Sequence, residues 1–307
     1  MKKSVVALSL MTMSSVASAA QIDALSDMQL DLSGEAEIQL YKSQTKTDDL
    51  EVNLNTFTIT LTPSYEVTER LRISVPMGLT NNDGDIEQDD FYVQADIDQA
   101  HHISIGRQDT VYADAGIGED YMFGFTSYVD AMTTTGDQVI KYTYDGNEIF
   151  FAGISYLSHS NETGYTSSDF MADGRIGARI EDFVYTLYFA NTSASKLTEQ
   201  NYEFDATYTI GDLSLAAMYG YTSAEQASAA DKDTKTYGLT ALWRDGGRMD
   251  YAVGWANIDE DGSDKVNDFY VNATYYVIDG ISLYAEVGFT DDDSQETGYV
   301  LGVDLSF

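Results

Sequence analysis

The chain has no cysteine among its 307 residues, so a disulfide framework and a thiolate metal site are both excluded. Basic residues are scarce: 16 Lys and Arg stand against 51 Asp and Glu, a formal net charge of -35. Such a surface repels phosphate backbones, which excludes nucleic acid as a partner, and its field draws cations. Only two prolines are present, so little interrupts regular structure. No apolar run reaches the ~20 residues that a membrane-spanning helix needs. Asp83-Gly84-Asp85 and the run Asp259 to Asp264 hold calcium-type ligands without the spacing of a complete binding loop. No metal and no cofactor is therefore expected.

What is present begins with a leader. Lys2 and Lys3 precede a short, mostly apolar segment from Val5 to Met13, and Ala17-Ser18-Ala19 is an A-x-A cleavage signal with Ala20 as an alternative last residue. This predicts a secretory signal peptide over residues 1–19 and one domain over 20–307. Loss of Lys2 and Lys3 takes the charge from -35 to -37. An exported chain this acidic could be disordered, but 23 Tyr and 13 Phe in regular alternation point to a fold.

The alternation has period two. Met28, Leu30, Leu32, Ile38 and Leu40 share a face, and Asp31, Ser33, Glu35, Glu37 and Gln39 share the other. The same pattern recurs to Tyr299, Leu301, Val303, Leu305 and Phe307. Tight turns at Thr68-Glu69-Arg70, Gln99-Ala100, Asp145-Gly146-Asn147, Glu181-Asp182, Gly211-Asp212, Asp245-Gly246-Gly247 and Asp279-Gly280 alternate with longer polar intervals. Asp-Gly favours a hairpin because glycine tolerates positive φ. Sixteen strands follow, joined by short turns at one end and long loops at the other, which is the pattern of an outer-membrane β-barrel. Lipid requires every backbone group to be paired, so the sheet must close, apolar face outward and polar face lining the lumen. Trp243 and Trp255 share the lipid face near opposite ends of neighbouring strands, where the two interfacial girdles lie.

One stretch departs from the pattern. Residues 109–136 are too long for a turn and do not alternate; they carry Asp114, Glu119, Asp120, Asp130, three glycines and the aromatics Tyr112, Tyr121, Phe123, Phe125 and Tyr128. Loops of this length inside a compact fold are usually functional, and five aromatics would be costly in an exposed loop. The expectation is a loop folded into the bore that sets what passes.

Ile105-Gly106-Arg107-Gln108-Asp109, the loop that follows, and the terminal Phe307 resemble the trimeric general diffusion porins of Gram-negative bacteria. The resemblance spans the mature chain in architecture and is specific mainly at the third loop and the C-terminus. It implies a water-filled channel for small hydrophilic solutes and cations in the outer membrane. Lipopolysaccharide and the barrel-assembly machinery are then partners, the latter reading Phe307. It implies a homotrimer with Arg107 at the subunit contact, near the acids of a neighbour's second loop, for which Asp83, Asp85 and Glu87 are available. The constriction acid falls on Glu119, with Asp120 adjacent; the family's second acid falls on Met122 and is absent. Asp114, Glu35 and Glu37 add carboxylates, and Arg72, Lys141, Arg175 and Arg179 have lumen parity as the opposing bases, with Arg72 and Arg179 near short turns. A cation-selective channel is expected.

Two other classes compete. A sugar-selective porin needs an aromatic track in the lumen, for which Tyr41, Tyr92, Tyr284 and the loop aromatics are available. An outer-membrane enzyme is suggested by His159-Ser160, but its spacing does not match that of outer-membrane phospholipases. His101 and His102 lie beside a short turn, which places them at the periplasmic rim.

Overall fold

The computed structural model describes residues 28–82, 85–124, 134–158, 169–194, 197–226 and 231–307. The leader and its cleavage site, Asp83-Gly84, Phe125, Tyr128, Asp130 and His159-Ser160 lie outside the described residues.

The strands are β1 (Met28–Lys42), β2 (Glu51–Thr68), β3 (Leu71–Ser74), β4 (Met77–Asn82), β5 (Asp85–Ile97), β6 (His101–Asp109), β7 (Thr135–Tyr144), β8 (Phe150–Ser158) and β9 (Phe170–Ile180). They continue as β10 (Phe183–Ala194), β11 (Leu197–Ile210), β12 (Leu213–Gln226), β13 (Lys232–Arg244), β14 (Met249–Glu260), β15 (Val266–Ile278), β16 (Ile281–Thr290) and β17 (Gly298–Ser306). Each pairs antiparallel with its neighbours, and β1 pairs with both β2 and β17, so the sheet closes. β3 and β4 both lie between β2 and β5 and form one wall strand broken at Val75-Pro76. Pro76 has no N–H to give to the ladder, but Val75 N–H still reaches the Pro63 carbonyl at 3.0 Å. Seventeen segments thus make a closed antiparallel barrel of sixteen strands.

The expected alternation holds around the wall. Leu30, Leu32, Val93, Ile105, Ile154, Leu239 and Leu301 are exposed on the outside, while Gln39, Ser104, Asp173, Asn272 and Glu286 are buried on the inside. Trp243 stacks on Tyr251 at 5.5 Å on the outer face. The short turns are tight where predicted: Glu181, Gly211, Gly246 and Gly280 all have positive φ. The turn after β7 is different. Gly146 is not in the left-handed region, so no Asp-Gly hairpin forms there. Instead Asn147 Oδ1 accepts the N–H groups of Ile149 and Phe150 at 2.9 and 2.6 Å, and a side chain closes a longer turn. The C-terminus is tied in by reciprocal 3.0 Å bonds between Gly34 and Phe307 backbones. A Cβ at Gly34 would lie 2.6 Å from the Phe307 ring, so glycine there lets that ring lie flat on the wall.

The inside is not uniformly polar. Val139, Leu157 and Met171 face inward and are fully buried around Tyr112 and Tyr188. Met218, Leu242, Ala252, Ala256 and Val300 form a second inward cluster around Ile117 and Phe123. Both clusters lie under the loop that follows β6.

Candidate functional site

That loop, L3, leaves β6 at Thr110, whose N–H bonds the Thr134 carbonyl at 2.7 Å and closes the loop's base. Its first residues fold as a single 3-10 turn, Val111–Asp114. Val111 N–H donates to Ser155 Oγ on β8 at 2.8 Å, and Tyr112 N–H to Asp173 Oδ1 on β9 at 3.0 Å. Tyr188 on β10 donates its hydroxyl to the Asp114 carbonyl at 2.9 Å. Thr240 on β13 donates to the Ile117 carbonyl at 3.1 Å, and Glu119 is held through its N–H by Tyr270 Oη and through its carbonyl by Asn272 Nδ2.

The described part of the loop ends on β16. Glu286 accepts three consecutive N–H groups, those of Tyr121, Met122 and Phe123, each at 2.8 Å, and a fourth bond from Asn272 Nδ2 at 2.9 Å. Phe123 sits where side chains at Gly288 and Gly298 would otherwise be: a Cβ at either would lie 2.3–2.4 Å from it. Tyr121 stacks on Tyr284 with centroids 3.7 Å apart. The described part of L3 therefore lines the inner wall from β8 to β17.

Among the described residues of L3, Asp114 and Glu119 keep open carboxylates, with side chains 57% and 49% exposed. Burial beside the loop pushes the Glu119 carboxyl above its ordinary range, Arg244 pulls it back, and Asp250 and Asp120 push it further. Asp120 curls against Gly124 within the loop rather than toward the bore. Glu35 hydrogen-bonds Asp304 on β17. Glu37 is nearly buried and accepts bonds from Asn55 Nδ2 (2.5 Å), Thr56 and the Tyr284 hydroxyl.

Each of the four expected bases has an oxygen partner at hand. Arg175 pairs with Asp114. Lys141 donates to the Asp109 carbonyl at 2.8 Å. Arg72 binds Ser64 Oγ at 2.8 Å with Asp31 at 3.5 Å. Arg179 makes two 2.8 Å bonds to Asp145 in the short turn after β7, which puts it at the periplasmic end and away from L3. His102 pairs with Asp96 and His101 stacks on Tyr142, both at the same end. Arg107, on the outer face opposite Phe91, bonds the Gln88 carbonyl at 2.9 Å and Asp137 at 2.7 Å. Asp85 and Glu87 stand exposed at the start of β5, opposite Asn82 and Thr80.

Sequence reasoning missed Glu286, Asp173, Glu203, Asp205 and Arg244, which hold or face L3. Their signal was parity, since each lies on the lumen side of its strand. The inward apolar residues Val139, Leu157, Met171, Met218 and Val300 carried the same signal as breaks in the polar face, marking where L3 docks.

The sequence profile of a family described as Gram-negative porin matches residues 5–295. Porin-like protein H of Photobacterium profundum is 27% identical, with all of both chains covered. The OmpT loop L8 deletion mutant of Vibrio cholerae superposes with a TM-score of 0.81 at 16% identity, over 92% of this chain and all of that one. The anion-selective porin from Comamonas acidovorans gives 0.75 at 15% identity, over 91% and 100%. The trimer form of in-vitro folded V. cholerae OmpT superposes with a TM-score of 0.77 at 16% identity, over 91% of this chain and 99% of that one. The profile match over nearly the whole length, on a closed barrel with an inward loop, makes this chain a member of the Gram-negative porin family, a channel-forming protein of the outer membrane.

Proposed function

We propose that the protein is a cation-selective diffusion channel for ions and small hydrophilic solutes, assembled as a homotrimer. The observation that carries this reading is the acid surplus of the bore as a whole. Asp114 and Glu119 already face Arg175 and Arg244, and Lys141 meets a carbonyl, but Glu35, Glu37, Asp250 and Asp304 add carboxylates from the wall. Fixed carboxylates in a narrow bore concentrate cations. Glu119→Gln keeps the volume and removes one charge. It should lower the cation-to-anion permeability ratio with little change in the solute size limit, measured by reversal potential and by liposome swelling. Because the Glu119 carboxyl sits above its ordinary range, protonation on acidification removes its charge at a higher pH than for a free carboxylate. Cation preference should therefore begin to fall early as pH drops, and that early component should be missing in Glu119→Gln.

The sugar-selective alternative has less support. Tyr284 spends its hydroxyl between Glu37 and Gln39 and its face on Tyr121. Conductance unaffected by oligosaccharides is the expected result; block by one would favour the sugar reading.

For the trimer, Arg107 is the proposed contact, reaching Asp85 and Glu87 of a neighbour, with Gln88 and Asp137 fixing its guanidinium on the outer face. An arginine directed at lipid is costly, which favours a protein partner. Arg107→Ala should lower the melting temperature of the trimer on unheated gels while the monomer barrel stays heat-modifiable. A wild-type melting curve for the variant would remove Arg107 from the interface.

A further inference from the structure

We infer that the hollow between L3 and the β10–β13 wall is a subsite for a small cation with N–H donors, of the alkylammonium class. It deepens the cation-selective reading and rests on it. The cavity is about 230 Å³, several times the ~30 Å³ share of one water. Its roof is the loop from Gly116 to Glu119, and its wall is formed by Asp205 with the hydroxyls of Thr186, Thr207, Ser214 and Thr240. Val184 and Ser214, near the short turns, mark its periplasmic end.

Asp205 is 7% exposed and stands beside Glu203, which is 3% exposed, two residues along the same face of β11. The two carboxyls hydrogen-bond each other and both draw on one loop donor, the Gly116 N–H. Asp205 Oδ1 and Glu203 Oε1 are sealed from water, so the hollow meets Asp205 at the rest of its side chain, with Glu203 behind it. The nearby bases are engaged elsewhere: Arg175 with Asp114, and Arg244 with Asp250 and Glu119. Ser214 pairs with Thr209 and Thr240 donates to Ile117, and since a hydroxyl that donates keeps its lone pairs, all four hydroxyls offer acceptors around Asp205. A group with one positive charge and three divergent N–H donors matches a carboxylate flanked by hydroxyls. A divalent ion does not, because it takes six or more oxygens and no group of three or more acids or histidines converges among the described residues.

The test uses the full-length protein in planar bilayers with methylammonium, tetramethylammonium or potassium chloride. Methylammonium conductance should saturate with concentration. Its half-saturating concentration should rise about tenfold in Asp205→Asn and in Glu203→Gln, as expected for loss of a charged hydrogen bond. Thr207→Val, which leaves both carboxylates, should raise it severalfold and provides a readout if an acid variant fails to fold. Tetramethylammonium has no N–H and should stay linear throughout. Glu35→Gln, remote from the hollow, should shift the reversal potential and leave the half-saturation unchanged. Linear methylammonium conductance in the parent would overturn the subsite, as would half-saturation unmoved in all three cavity variants, the result expected if a proton between the two acids fills the need. Neither result touches cation selectivity, which fails only on an anion-preferring reversal potential.

Discussion

Removal of Ala115 to Met122 should leave a closed, heat-modifiable barrel with a wider bore. The ladder from β1 to β17 closes without any of these residues, so the deletion takes away lining and not wall. Single-channel conductance should rise, on the order of twofold, and larger neutral solutes should pass in liposome swelling. Cation preference should fall together with the size restriction, because Glu119 leaves with the segment. The cost in stability should be modest. The deleted segment gives up loop hydrogen bonds to Thr240, Tyr270, Asn272 and Glu286, each worth about 0.5–1.5 kcal/mol net, and the freed wall groups meet lumen water. Met218, Leu242 and Val300 would be newly wetted, which should lower the melting temperature without preventing assembly. Unchanged conductance in a folded deletion variant would place the segment outside the bore.

Glu286→Leu should free the end of the loop while keeping its full length. One carboxylate serves three successive N–H groups there, and leucine offers none of them an acceptor. A buried donor left unmet costs about 1–3 kcal/mol, so the tip should exchange the wall for water. Open-channel current should become noisy on the timescale of loop motion, and L3 should become a site of proteolytic nicking in the folded barrel. Gly288→Val attacks the same anchorage differently, by filling the place of Phe123, and should give the same noise with the carboxylate intact. Quiet channels in both variants would show that the loop is held by its first half, at Ser155, Asp173 and Tyr188.

The barrel was legible because its rule is local. Alternation in Phe269, Val271, Ala273 and Tyr275 needs no knowledge of the partner strand, and Gly211 or Gly280 announces a turn within two residues. The path of L3 was not local. Tyr121 meets Glu286 from 165 positions away, and nothing near either residue names the other. Glu119 is marked by a motif, whereas Arg244 opposite it is masked by the adjoining Asp-Gly-Gly turn. Asp120 is expected in the bore with Glu119, but neighbours in a loop need not share a direction, and it folds onto Gly124. Arg179 has lumen parity, yet parity fixes a face and not a height, and Asp145 holds it at the periplasmic end.

Carboxylates inside the bore, on L3 and on the wall, in surplus over its bases, are what should set the preference of the channel. The reversal potential of the purified protein, in a planar bilayer across a potassium chloride gradient, reads that preference without any intermediate step. The expected sign favours potassium, weakening as total salt rises toward and beyond about 0.1 M, where the Debye length is ~10 Å. A potential that favours chloride at low salt would contradict it.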